Sequence, residues 1–228
     1  MPAEAFRDTL PPGDRHFVAR FESFGDVVVG FSMSLLGLQL TVPHTAAELF
    51  HSPLRLFEFF ATFAIVSVFW LGFHGIMSTG FAPKRLDMVF AFTYLAFVAL
   101  TPFAFLTQVT LSKSEADSYA GLAFYIAVFL GVTLCSLVLN VRGARRAWTF
   151  LDKTQQDRAW RRVVMGVLFT ACLGVSLGFA LRREVSLAGV SLFALIAMTP
   201  LSRRFPPRPA WLRIREHATG TSQPQAVS

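Results

Sequence analysis

The chain has 228 residues, a pI near 10.2 and a formal net charge of +7, with 54% hydrophobic and only 15% charged residues. A soluble domain of this length would carry about a quarter charged residues, so a soluble globular enzyme is disfavoured. Long uncharged runs between clumped charges point instead to a polytopic membrane protein.

The positive balance answers first to membrane topology and not to nucleic acid, for which no partner role is expected. Residues 1–20 hold Pro11, Pro12 and three arginines but no apolar core, and read as a cytoplasmic segment, not a signal peptide. Six apolar runs follow, at 23–42, 56–77, 88–111, 119–141, 163–181 and 185–201. Most approach the roughly 20 residues that span a bilayer at about 1.5 Å per residue. The expected fold is all-α, with six transmembrane helices in a domain over 21–201. Pro43 should end the first helix and Pro102 should kink the third. Only Arg182, Arg183 and Glu184 separate the last two runs, which read as a tight hairpin. Residues 202–228 are rich in Arg, Pro, Ser, Thr and Gln and read as a disordered tail.

Orientation follows from the basic residues. Seventeen of the 21 Lys and Arg fall on one side of the six-span arrangement, and four (Arg55, Lys113, Arg182, Arg183) on the other. The positive-inside rule then places both termini in the cytoplasm. The loop "RGARRAWTFLDKTQQDRAWRR" is basic and carries Trp148 and Trp160. It reads either as an interfacial helix against lipid headgroups or as the topology signal with aromatic anchors. Gly166, Thr170, Gly174 and Gly178 recur every four residues in the fifth run and suggest a small-residue packing ridge.

Catalytic and metal chemistry find no support. Cys135 and Cys172 each sit within an apolar run and read as plain buried thiols. No phosphate-cradling glycine loop, metal-ligand cluster or catalytic triad pattern is present, so no enzyme, cofactor or metal is expected.

The polar residues of the first two helices are the informative ones. Arg20, Glu22 and Asp26 open the first helix, and Trp70 and His74 lie at the facing end of the second. Ionisable groups in membrane helices are costly and usually face protein or water. Antiparallel neighbours would bring Arg20, Asp26 and His74 to one depth, where they could satisfy one another. Such a cluster could tie the helices together, or handle protons or ions. Further along, Phe31, Leu35 and Leu38 share one helical face, with Gly30, Ser34 and Gly37 beside it. From spacing alone this stripe could face lipid, pack, or line a pathway that gates by dewetting.

These residues carry a resemblance. Arg20-x-x-x-Phe24-Gly25-Asp26 resembles the R-x-x-x-F-S-D signature that opens the first helix of the transmembrane protein 175 family. "FFATFAIVSVFWLGFH" resembles that family's second helix, and "RLDMVFAFTYLAFVALTPF" its third. The resemblance covers about residues 20–105. It implies a potassium-permeable, weakly selective cation channel of the cell inner (plasma) membrane, one six-helix repeat per chain, assembled as a homotetramer among membrane lipids. Four copies of the first helix would line the pore. The family's hydrophobic rings would fall on Phe31, Leu35 and Leu38, with Ser34 pore-adjacent. Arg20, Phe24, Asp26, Trp70 and His74 would form a cytoplasmic-side network. Potassium would be the permeant ion, with no other cofactor. Gly25 stands where the family usually has Ser, and Phe31 where it has a smaller aliphatic. No T-V-G-Y-G loop is present, so a carbonyl filter is not expected. A non-conducting assembly and a proton-coupled carrier are the alternatives. A carrier should show inverted repeats around a midplane site, and no second copy of the Phe24-Gly25-Asp26 region occurs.

Overall fold

A computed structural model describes residues 6–38, 53–112 and 114–184. Among them the regular structure is wholly helical: α1 (Pro12–Leu38), α2 (Pro53–Ser78), α3 (Arg85–Leu111), α4 (Glu115–Ala147), a 3-10 turn (Trp148–Phe150) and α5 (Lys153–Leu181). Five helices are long and apolar enough to cross a membrane. The sixth run, the tail and Pro43 lie outside the described residues.

The helices are longer than the apolar runs that announce them. α1 starts at Pro12, a residue suited to a first helical turn because its missing N–H would be unsatisfied there anyway. Part of the segment expected to precede the first span is therefore helical. α4 continues to Ala147, and α5 begins at Lys153 behind a capping box. The Asp152 side chain accepts from the Gln155 N–H, and the Gln155 side chain accepts from the Asp152 N–H. The basic loop is thus divided between two helix ends and a 3-10 turn, not folded as a separate interfacial helix. Pro102 is buried within α3, which is unbroken on either side of it.

α4 packs between α3 and α5, and α1 rests on α2 and α3. The main core joins Val18, Phe21 and Val29 of α1 to Val66 and Phe73 of α2, Tyr94 and Val98 of α3, and Val132 and Leu139 of α4. The Tyr94 hydroxyl is not wasted in this apolar setting: it donates to the Phe69 carbonyl at 2.6 Å. Ile126, Leu173 and Ala180 centre a second cluster between α4 and α5. Gly80 turns the chain from α2 to α3 at φ +104°, which a side chain rarely adopts. A Cβ there would also lie 2.7 Å from the Gly143 carbonyl oxygen, so the turn seats directly on α4.

Of the expected glycine ridge, Gly166 sits against Leu137, and among the described residues nothing lies within 4 Å of a Cβ added at Gly174 or Gly178. The face of α5 buried among the described residues runs through Leu173, Ser176 and Ala180. Both cysteines are free thiols, Cys135 buried and Cys172 half-buried.

Candidate functional site

α1 has two distinct faces. Val18, Phe21, Gly25, Val29, Ser32 and Leu36 recur at steps of three and four and form the buried stripe against α2 and α3. The other side carries Phe31, Leu35 and Leu38, exposed by 65%, 40% and 81%. Phe24 and Val27 extend this bare apolar face toward the helix start. Ser34 lies beside it, its hydroxyl returned to the Gly30 carbonyl at 2.9 Å.

Gly25 explains how α1 approaches α2 so closely. A Cβ at this position would stand 2.3 Å from Phe73 Cε1, and Phe73 is fully buried. The phenyl ring occupies the volume that a serine would need. The signature's missing hydroxyl is therefore a packing exchange with α2, not merely a lost hydrogen bond.

One turn away, α1 and α2 are joined by a chain of polar contacts. His74 Nε2 lies 3.0 Å from Asp26 Oδ1, and Nδ1 lies 3.0 Å from Glu22 Oε1. Trp70 Nε1 donates to the same Asp26 oxygen at 2.8 Å. Arg7 Nη2 donates to Glu22 Oε2 at 3.1 Å and to the Met77 carbonyl at 3.4 Å. A neutral imidazole has one N–H donor, whereas an imidazolium has two. A neutral ring can donate to one of the two carboxylates and a doubly protonated ring to both, while Arg7 and Trp70 donate to them from outside. The indole also stands edge-on to the imidazole, with centroids 4.7 Å apart.

Asp26, Trp70 and His74 come together as expected, but Arg20 does not join them. It is exposed and pairs with none of the described residues. It precedes Glu22 by two residues and so points to the far side of the helix. Arg7 supplies the guanidinium instead. Phe24 makes no polar contact; it stacks on Phe21 and meets Phe92 edge-on.

A second charged cluster ties α3 to α4. Asp87 is 1% exposed and is ion-paired to both Arg142 and Arg146. The sequence holds a signal for it: one acid at the edge of the third apolar run, and an excess of arginine at the end of the fourth. Arg7 left no comparable trace, since only the fold brings residue 7 beside the end of α2. No group of three or more His, Cys, Asp or Glu suited to a metal ion occurs among the described residues.

A bundle of long apolar helices with an exposed apolar face on α1 defines a multi-pass helical membrane protein. Residues 20–102 match the family model described as endosomal/lysosomal potassium channel TMEM175, the family whose motifs the sequence resembles. The fold is similar to that of a variant of the potassium channel MtTMEM175, solved in complex with a nanobody–MBP fusion protein. The TM-score is 0.65 at 17% identity, over 87% of this chain and 93% of that one, a likeness of fold. No curated protein matches the chain.

Proposed function

We propose that the protein is a potassium-permeable, weakly selective cation channel, formed by four copies of the chain with α1 lining the axis. The exposed apolar face of α1 carries this reading: Phe31, Leu35 and Leu38 project away from α2 and α3 and are free to face a pathway between copies. The match of residues 20–102 to a potassium channel family and the likeness to a potassium channel fold support the same reading. In a tetramer the three side chains form stacked apolar rings over roughly 10 Å. Such rings offer a cation nothing to replace its hydration shell, so conduction is governed by radius and wetting. Phe31 is the bulkiest of the three and the tightest point, and Ser34 adds a hydroxyl beside the rings.

The network of Asp26, Glu22, Trp70 and His74 anchors the middle of α1 to the last turns of α2 and sets the tilt at which the rings meet. Both termini face the cytoplasm of a cell whose inner membrane holds the channel. No catalysis is proposed.

Potassium and sodium flux into liposomes tests the assignment. Leu35→Asn and Phe31→Ser should raise cation flux several-fold and lessen discrimination between the two ions. Leu71→Asn, on an exposed face of α2, should change neither. Unchanged flux from folded variants at all three ring positions would move the pathway elsewhere.

A further inference from the structure

A second site lies at the end of the bundle that holds the polar network, outside α1. The end of α2, the residues after the 3-10 turn and the first turns of α5 line a half-open cavity of about 140 Å³. Ser78, Thr79, Gln155, Arg158 and Arg162 supply its polar lining, and Leu151 and Ala159 its apolar floor. Among the described residues no carboxylate lines it.

The donors around this cavity are only partly used. Arg158 and Arg162 stand four residues apart and so share one face of α5, two like charges side by side. Arg162 spends one nitrogen, Nη1, on the Gly75 carbonyl at 3.2 Å and the Thr79 hydroxyl at 2.8 Å. A guanidinium has five N–H donors in a rigid fork, so among the described residues the rest of this one is available. Ser78 and Thr79 both also donate to the Gly75 carbonyl. That oxygen keeps partners if Ser78 turns its hydroxyl outward. The Gln155 side-chain carbonyl is held by the Asp152 N–H, which leaves its amide NH₂ as a donor. The nearby Asp152 carboxylate is occupied by the Gln155 backbone N–H.

We infer that this cavity binds a phosphate group, through Arg158 and Arg162 with Gln155 and Ser78 as neutral donors. Two adjacent guanidiniums repel until an anion stands between them, and a phosphate accepts from both forks. The volume is far below the roughly 300–1,000 Å³ of drug-sized ligand sites and suits one compact head. The position favours the phosphate of a membrane lipid. From Val163 onward α5 is apolar, and Trp148 and Trp160 lie in the same basic stretch of sequence, a residue type enriched at the headgroup level. Occupancy would brace α5 against the end of α2, the helix that carries Trp70 and His74.

The test uses the full chain in an uncharged detergent, titrated with phosphatidylglycerol, with phosphatidylcholine, or with inorganic phosphate in the presence of phosphatidylcholine. Thermal stability is followed throughout. Phosphatidylglycerol should raise the melting temperature where phosphatidylcholine alone does not. Arg158→Gln should weaken that response about ten-fold, the size of one charge-assisted contact. Arg145→Gln removes an exposed arginine outside the cavity and should leave the response within two-fold of the parent. Stabilisation by inorganic phosphate with the same Arg158 dependence upholds the site and assigns it to a soluble phosphate. Equal weakening by Arg158→Gln and Arg145→Gln, or no response to any phosphate, overturns the inference. Arg162 is not the diagnostic variant, because its contacts to the end of α2 make folding itself sensitive to it.

Discussion

Two charged clusters hold the same end of the bundle, and they are built on opposite principles. Between α3 and α4, Asp87 is all but sealed from solvent and takes two guanidiniums, Arg142 and Arg146. Between α1 and α2, two carboxylates share one imidazole, with Arg7 and Trp70 on their outer sides. There the side chains of Glu22, His74 and Asp26 are 24%, 32% and 48% exposed. A sealed ion pair cannot exchange its partners for water without a large penalty, so it acts as a fixed rivet. A half-open chain of hydrogen bonds can exchange them, and its central ring changes its donor count with protonation. The fixed joint belongs to the helix pair that frames the core. The exchangeable one belongs to α1, the helix proposed to line the pathway.

The buried joint is tested most directly at Asp87. Asp87→Ala leaves Arg142 and Arg146, 33% and 20% exposed, without their shared buried acceptor, and should cost about 2–3 kcal/mol, below the range for a fully buried partner removed because water reaches part of each guanidinium. Loss of the folded species in detergent, followed by size-exclusion profile and thermal melting, measures it. A melting temperature near the parent's would show that water fully solvates both guanidiniums and that the joint is not sealed.

His74→Ala comes next. It leaves Glu22 and Asp26 without their shared partner, but both can turn to water, so roughly 1–2 kcal/mol is expected, the cost of a hydrogen bond to a charged group discounted for exposure. Thermal melting of the folded protein gives the figure. His74→Gln should recover part of it, since an amide donates to only one of the two carboxylates. Should His74→Ala cost as much as Asp87→Ala, the distinction between sealed and exchangeable joints would fail.

What could be read in the sequence, and what could not, divides along the same physical line. Apolar runs of bilayer length announce helices because each must bury its own backbone hydrogen bonds, and α1 to α5 all appear where such runs lie. Their ends were misplaced because charged turns continue a helix once a cap or an ion pair holds them. The Asp152 capping box does this for α5, and Asp87 holds the last turns of α4. The contact of His74 with Asp26 was legible because antiparallel neighbours fix relative depth. Arg7 was not, because no local pattern says that a polar N-terminal segment folds back on the end of α2. The close fit of Gly25 on Phe73 was equally hidden. A missing Cβ shows in the sequence, but the ring that fills its place does not.

Two arginines that look alike in the sequence have separate roles in the fold. Arg7 and Arg20 both precede the polar network, yet only Arg7 reaches it, through Glu22 and the Met77 carbonyl. Its side chain is 35% exposed, so Arg7→Ala should lower stability by only about 0.5–1 kcal/mol. Arg20 touches no polar group of its own chain among the described residues, and Arg20→Ala should change the chain's own stability by less than about 0.5 kcal/mol. The bare face of α1 gives it a different reader. Arg20 lies on the same side as Phe24, Phe31 and Leu38, the side that the proposed assembly turns toward neighbouring copies. Arg20→Ala should therefore shift the ratio of oligomer to monomer in mild detergent while leaving the monomer's melting temperature unchanged. Arg7→Ala should do the reverse. If Arg20→Ala lowers monomer stability as much as Arg7→Ala, Arg20 has an intramolecular partner and belongs with the clamp. If it alters neither quantity, the side of α1 that carries Arg20 does not meet another copy.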